Sequence, residues 1–563
     1  TPVFVEQQLD DYPLHNVEDG YNYVGARYHV ARLSSNESNV THVTLTTKDN
    51  ISNALVRPAR LVKNVEFSGK NLSFDIVNTK GNHDSNISAL ARNIVVSVTT
   101  DITLGNTLPD NADPKYNQKN YAYFHILMDD LEKNKPVIDG IDVLDITAID
   151  PSIDRTGISK VTKNLNDIFA DSKYAGKTLY IPNGVYLCGA LVLPTLPNTK
   201  VYLDSGATIL GTDNAADYPT DLMPTSSVTN AGDRYFEWGT DYGEVMSYSR
   251  QIFIDKADGV TLFGRGTINA NGFHARFDLA KNNPAGYSGI QDDGKPIQTM
   301  RIKDSKNITI QDIYIRNSPA WTVHALRDDN LSITGVKITN EFPMNSTDGF
   351  DIDSSTHVTL DKCFYYGSDD AFVMKGTGNS GGRIYTTIGD DNSKLSDVTP
   401  DYVPDKYLNR TYQLYAGPTA YVVAKNSTLI ATANSANAIG TEANNVSIHD
   451  ITFQNNDSID SLLAVSIRPR DDAEIYNIKF IGNIFDRPAQ IIELGQDLRG
   501  WKYNVQKFGI QGGAYGNQKD VDYVTTSTST ANTQANTNPK AKSLVPWFDR
   551  SGSKLHDISF EDN

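Results

Sequence analysis

Three lines of sequence decide the fold: KNITIQDIYIRNS (306–318), DNLSITGVKITN (329–340) and THVTLDKCFYYG (356–367). Each carries a short run in which apolar and polar residues alternate, as a half-buried strand requires. The run returns after 23 residues from Asn307 to Asn330 and after 27 from Asn330 to His357. GVTLFGRGTINANG (259–272), NVSIHDITFQNN (445–456) and IYNIKFIGN (475–483) repeat it. A short strand recurring at this period is the signature of a solenoid whose strands stack in parallel. No long helical pattern intervenes, so βαβ sheets and α/β barrels fit poorly. The expected fold is all-β, with a right-handed parallel β-helix over residues 141–563.

Upstream the pattern changes. Residues 1–140 hold short alternating strands split by polar turns, among them THVTLTT, ALVRPARLV, LSFDIVN, NIVVSVTTDI and YAYFHILM. That spacing predicts an N-terminal β-sandwich domain. LPDNADPKYNQKN (108–120) reads as a loop inside it and LEKNKPVIDG (131–140) as the exit linker. Ile158, Val161, Leu165 and Ile168 or Phe169 then recur at helical spacing. They predict a helix near 157–170 that caps the open end of the solenoid. TTSTSTANTQANTNPKAKS (525–543) is a low-complexity loop with too little apolar content to pack, after which KLHDISFEDN can rejoin the solenoid.

Bulk properties narrow the function. The 563 residues carry a formal charge of −17, which cannot neutralise phosphates, so nucleic acid is not an expected partner. No run of eighteen apolar residues occurs, and no membrane span is expected. The chain opens on Thr1 without a leader pattern, so a processed, secreted protein is expected, and a monomer. Two cysteines, Cys188 and Cys363, lie in apolar runs and read as buried free thiols rather than a disulfide framework. No cofactor and no metal are called for.

The chemistry concentrates in NSTDGFDIDSSTHVTLDKCFYYGSDDAFVMKG (345–376). Asp348 stands at one end and the adjacent Asp369 and Asp370 at the other. Like charges side by side cost free energy unless solvent, metal or chemistry compensates. Neighbouring strand residues point to opposite faces, so the pair must lie at a bend, for which Gly367 and Ser368 provide.

Five blocks occur in a fixed order: GVYLCGALVLPTLPNTKVYLDSGATILGTDNAADYP, GRGTINANG, NSPAWTVH, STDGFDID and GSDDAFVMKG. Together they resemble glycoside hydrolase family 28, the polygalacturonases and their relatives, over roughly residues 145–495. A fainter likeness is to family 49, the dextranases and isopullulanases. The resemblance implies an inverting hydrolase of pectin-type polysaccharide, galacturonan or rhamnogalacturonan. By position, Asp369 matches the general acid, and Asp348 and Asp370 the carboxylates that hold and deprotonate the attacking water. Inversion generally uses two carboxyl groups about 6.5–9.5 Å apart with a water between. Crowding acids raises the pKa of one of them.

Arg468 and Arg470 in AVSIRPRDDAEIYNIKF stand at the family's Arg and Lys, spaced to share one strand face. Such cations can grip a substrate carboxylate, and Lys375 is a third candidate. Trp321 and His324 of NSPAWTVH precede the acids by one rung and offer a stacking surface. The family's G-H-G is absent: NSANAIGTE (434–442) puts Ser435 at the His position, with Glu442 as a further carboxylate. That departure weakens the reading of plain homogalacturonan cleavage. The long insertion between GTG (376–378) and GPTAYVVAKNSTL (417–429) would wall one end of a cleft and favour exo attack. Three alternatives stay open: a family 49-like dextranase, a pectate lyase, and a non-catalytic polysaccharide-binding β-helix.

Overall fold

The computed structural model describes residues 5–7, 14–16, 21–23, 28–100, 122–212, 214, 217–218, 250–272, 298–340, 347–376, 417–443, 446–469, 473–494 and 554–563. Three long sheets of eleven, ten and nine strands run through them, each adding its strands in chain order. Every coil visits the three faces in turn. One coil is Lys306–Gln311, Tyr314–Arg316 and Val323–Leu326, and the next is Asp329–Thr334, Lys337–Thr339 and Phe350–Asp353. All pairings between coils are parallel. The fold is a right-handed parallel β-helix, as the periodic strands implied.

The register explains why the alternation repeats. On the first face Ile310 stands opposite Ile333, Ile333 opposite Leu360, Leu360 opposite Ala424, and Ala424 opposite Phe453. Inward residues therefore stack into columns of like side chains, and one continuous apolar core runs the length of the solenoid. The corner between first and second faces is made by one left-handed residue per coil: Asp312, Gly335, Lys362, Asn426, Asn455 and Gly482, with φ between 55° and 66°. Short polar residues and glycine visit that region at low cost, which accounts for most of these identities; Lys362 is the exception. Just past the corner, Ser427 N donates to Asn456 Oδ1 at 3.0 Å and Asn456 N to Asn483 Oδ1 at 3.0 Å. Asn483 N then donates to Asn563 Oδ1 at 2.9 Å. These amides satisfy backbone donors that the turn would otherwise bury unpaired.

The cap differs in its boundaries from expectation. The helix is Thr162–Ala170 and buries Leu165, Ile168 and Phe169. Thr156–Lys160 is a strand with Ile158 exposed, because it pairs with Gly184–Cys188 as the first rung of the second face. Lys554–Glu561 rejoins the first face beside Glu474–Ile481. The 108–120 and 525–543 loops and the 377–416 insertion lie outside the described residues.

Ahead of the solenoid, a five-stranded and a three-stranded sheet enclose Leu61, Leu72, Phe74, Ile76, Ile94 and Val96. This is the expected sandwich. ALVRPARLV is not one strand: Ile51–Arg57 stops at Pro58, which lacks the N–H to continue a ladder. The last sandwich strand ends at Asp129 and the first solenoid strand begins at Val143. Tyr28, Val30, Tyr123 and Leu127 of the sandwich pack on Tyr314, Phe364, Tyr366 and Ile430 of the second face. Ion pairs rim this contact: Arg57 with Asp460 at 2.6 Å and Arg60 with Asp457 at 2.8 Å.

Candidate active site

The three acids meet on the third face. Thr322 N donates to Asp348 O at 2.8 Å and Gly349 N to Asp370 O at 2.8 Å, so the segments leading into Phe350–Asp353 and Phe372–Gly376 stack one on the next. Stacking places Asp348 beside the Asp369–Asp370 bend. One carboxylate oxygen from each lies within 4.8 Å of the other two.

Close backbone approach requires the two glycines flanking the acids. A Cβ at Gly349 would fall 2.6 Å from Ala371 O and 2.6 Å from the Tyr365 ring, and one at Gly367 would fall 2.3 Å from the Tyr365 hydroxyl. Tyr365 is buried, and its hydroxyl lies 3.1 Å from both Thr347 O and Asp369 O. The tyrosine thus braces the two acidic segments together. Gly367 allows this by yielding space rather than by an unusual φ.

The next coil holds the pair from the other side. Asn434 Nδ2 donates to Asp369 Oδ1 at 2.7 Å and Ser435 N to Asp370 Oδ1 at 2.8 Å. Ser435, the substrate-binding candidate at the family's His position, meets the pair through its backbone N–H. Asp348 and Asp370 are 5% and 3% exposed, whereas Asp369 is half-buried. Burial pushes the Asp348 carboxyl well above the usual carboxylate range; Lys375 opposes this and Asp351, Asp369 and Asp370 reinforce it.

Other candidates take different positions. Lys375 is fully buried, its Nζ 3.0 Å from Asp348 Oδ2 and 2.9 Å from Asp351 Oδ1. It does not face solvent as a substrate-gripping cation would, because two carboxylates draw it inward. Trp321 is 6% exposed and lies beneath that ammonium, 3.3 Å from ring centroid to Nζ. His324 is fully buried against Trp321, Gln298 and Asp353, and burial lowers its pKa to about 4. Neither ring offers a face to a sugar. Arg468 is partly exposed and pairs with Glu493, Nε to Oε2 at 3.1 Å. Arg470 and the Glu442 side chain lie outside the described residues.

Three contributors escape the sequence reading. Asp351 could be suspected from the D-G-F-D-I-D alternation, which sends it to the same strand face as Asp353. Tyr365 and Asn434 carry no local signal, since their roles exist only across coils.

Fold and site together define a β-helix with a braced acid cluster on one face. Residues 177–383 match the model of glycosyl hydrolases family 28, a span that contains all five quoted blocks but is shorter than the 145–495 over which the likeness was expected. That span includes all three acids and Lys375 and stops before Asn434 and Arg468. The chain is 26% identical over 234 residues to a probable polygalacturonase of Vitis vinifera, covering 40% of this chain and 43% of that protein. It is 25% identical over 239 residues to the exo-poly-alpha-D-galacturonosidase of Dickeya chrysanthemi, covering 36% and 37%. The chain thus spans less than half the length of these curated relatives. Among solved structures, an exopolygalacturonase from Thermotoga maritima aligns with a TM-score of 0.46 and 17% identity, covering 64% of this chain and 77% of that one. Dex49A from Penicillium minioluteum aligns with a TM-score of 0.42 and 12% identity, covering 82% and 72%.

Proposed function

We propose that this protein is a secreted glycoside hydrolase that cleaves galacturonan- or rhamnogalacturonan-type polysaccharide, with Asp369 as general acid and Asp348 and Asp370 activating water. The observation that carries the proposal is the arrangement of the trio: two buried carboxylates and a more exposed one, oxygens within 4.8 Å. The family match over these residues and the names of the curated relatives support the substrate class. The most exposed acid is the one placed to reach a glycosidic oxygen entering from solvent.

The spacing is tighter than the separation usual for inverting pairs. It suits a single water held by both buried acids, since two hydrogen bonds of about 2.7–2.8 Å at a tetrahedral angle set their acceptors about 4.5 Å apart. Inversion is the outcome proposed from the family resemblance, and exo action the proposed mode. Arg468 is the proposed cation for a substrate carboxylate, exchanging or sharing Glu493. We also propose that the chain works as two domains, 1–140 bracing the catalytic 141–563.

Reducing-end release on homogalacturonan, rhamnogalacturonan, dextran and pullulan tests the substrate class. The proposal expects activity on a pectic substrate that Asp369→Asn abolishes. Proton NMR of the first product expects the anomer opposite to the bond cleaved. Turnover of dextran alone would favour the α-glucan alternative.

A further inference from the structure

We propose that Lys375 is a positioning residue for this hydrolysis: its ammonium, clamped between Asp348, Asp351 and the face of Trp321, holds the Asp348 carboxylate in place and balances its charge. The inference rests on the proposed roles of the acid trio and adds a residue that acts through one of them.

An ammonium has three N–H donors, and three groups surround this one: Asp348 Oδ2 at 3.0 Å, Asp351 Oδ1 at 2.9 Å, and the Trp321 ring at 3.3 Å from centroid to Nζ. An indole face attracts a cation through its quadrupole, most strongly where water is excluded. Lys375 stands opposite Asp353 in register, yet its Nζ reaches Asp351, two residues back along the neighbouring strand. That displacement is about 6.6 Å along the strand, which a four-carbon stem spans and a shorter cation could not. The side chain therefore runs toward the acids, and its burial rules out a solvated surface charge.

Charge balance gives the clamp its function. Around Asp348 stand Lys375 from Phe372–Gly376, Asp351 from the strand Phe350–Asp353 that follows it, Asp369 and Asp370 from the bend, and the Tyr365 hydroxyl from the second face. His324, Arg301 and Asp353 lie on the same sheet, and His324 is bound to Asp353. Among the charges that act on Asp348, those of Asp351, Asp369 and Asp370 favour its protonated form, as burial does, and the ammonium opposes all of them. A water-activating carboxylate must be ionised, so the acidic limb of the kcat profile follows Asp348.

Opposite substitutions should move that limb in opposite directions. Lys375→Met removes the cation: kcat at the optimum falls on the order of 10²-fold, KM stays near that of the parent, and the acidic limb moves to higher pH. Asp351→Asn removes a competing carboxylate and leaves the ammonium to Asp348, so the limb moves to lower pH. A merely structural role predicts no such opposition. Trp321→Leu, which keeps the charge and removes the ring, shifts the limb in the Lys375→Met direction and serves if that variant does not fold. Folded variants whose limbs stay put, or move together, would overturn the inference. Hydrolysis that survives both Asp369→Asn and Asp348→Asn overturns the functional reading itself, whatever the limbs do.

Discussion

Asn434 donates from Nδ2 to Oδ1 of Asp369 at 2.7 Å, tying the most exposed acid of the trio to the following coil. The same oxygen accepts from Asp370 N at 2.9 Å, so its direction is set from two sides. Asn434→Ala removes the tie to the following coil and keeps the contact from Asp370 N. The expected result is a fall in kcat of about 10-fold or more through lost orientation, with unfolding unchanged within about 0.5 kcal/mol. Initial rates on the pectic substrate check it, and an unchanged kcat would separate Asn434 from the chemistry.

Gly367→Ala places a methyl group 2.3 Å from the Tyr365 hydroxyl. Tyr365 is fully buried and held between two carbonyls, so it cannot swing aside cheaply. Overpacking of this kind costs about 1–3 kcal/mol. Denaturant unfolding should show that loss. Activity should fall further than stability does, because Asp369 and Asp370 follow two and three residues later.

Arg57 and Asp460 join the sandwich to the solenoid, at 4% and 11% side-chain exposure. Burial pushes the Asp460 carboxyl up, but Arg57 and Arg487 outweigh it and leave it below its ordinary value. Removing one partner of a buried pair costs about 3–5 kcal/mol because the other charge stays behind; here Arg487 remains, so Arg57→Met should fall at the lower end. Faster proteolysis in the 131–140 linker and a lower unfolding midpoint are the expected readouts.

His125 lies in the same contact, fully buried among Tyr28, Tyr123, Phe364 and Tyr366, and burial lowers its pKa to about 3. Its folded value is below its unfolded one, so the unfolded chain binds the extra proton as pH falls from about 6.5 toward 3. Stability should therefore decline across that window, by up to about 1.4 kcal/mol per pH unit from this group. Asp457, raised by burial to about 6, works in the other direction between there and its ordinary value. Comparing the parent with His125→Phe cancels the Asp457 contribution: the variant should lose less stability on acidification. Parallel curves would remove His125 from the account.

Much of the fold was legible because it is local. Alternation along 306–311, 329–334 and 356–361 states which side of each strand is apolar, and the recurrence states that the strands stack. The glycines and asparagines at the corners follow from one left-handed residue per coil. The cap helix was misplaced at its start because Ile158 sits at a helical spacing from Val161 while its backbone pairs in a sheet. Local periodicity cannot arbitrate when a long-range ladder competes for the same residues.

The acids themselves could be picked out from sequence, since three carboxylates in two short motifs are conspicuous wherever they lie. What each neighbour does could not. Lys375 turns inward because Asp348 and Asp351 arrive from the preceding coil, and Trp321 and His324 are buried by side chains far from them in the chain. Asn434 joins the site only after the segment from 377 to 416 has passed, so no spacing counted along the chain leads to it. Sequence alone determined the repeating unit and picked out the acids, because alternation is local to each strand and the acids stand in two short motifs on successive coils. Tertiary structure decided the partners, because contact between coils depends on how they stack and not on how far apart they are in the chain.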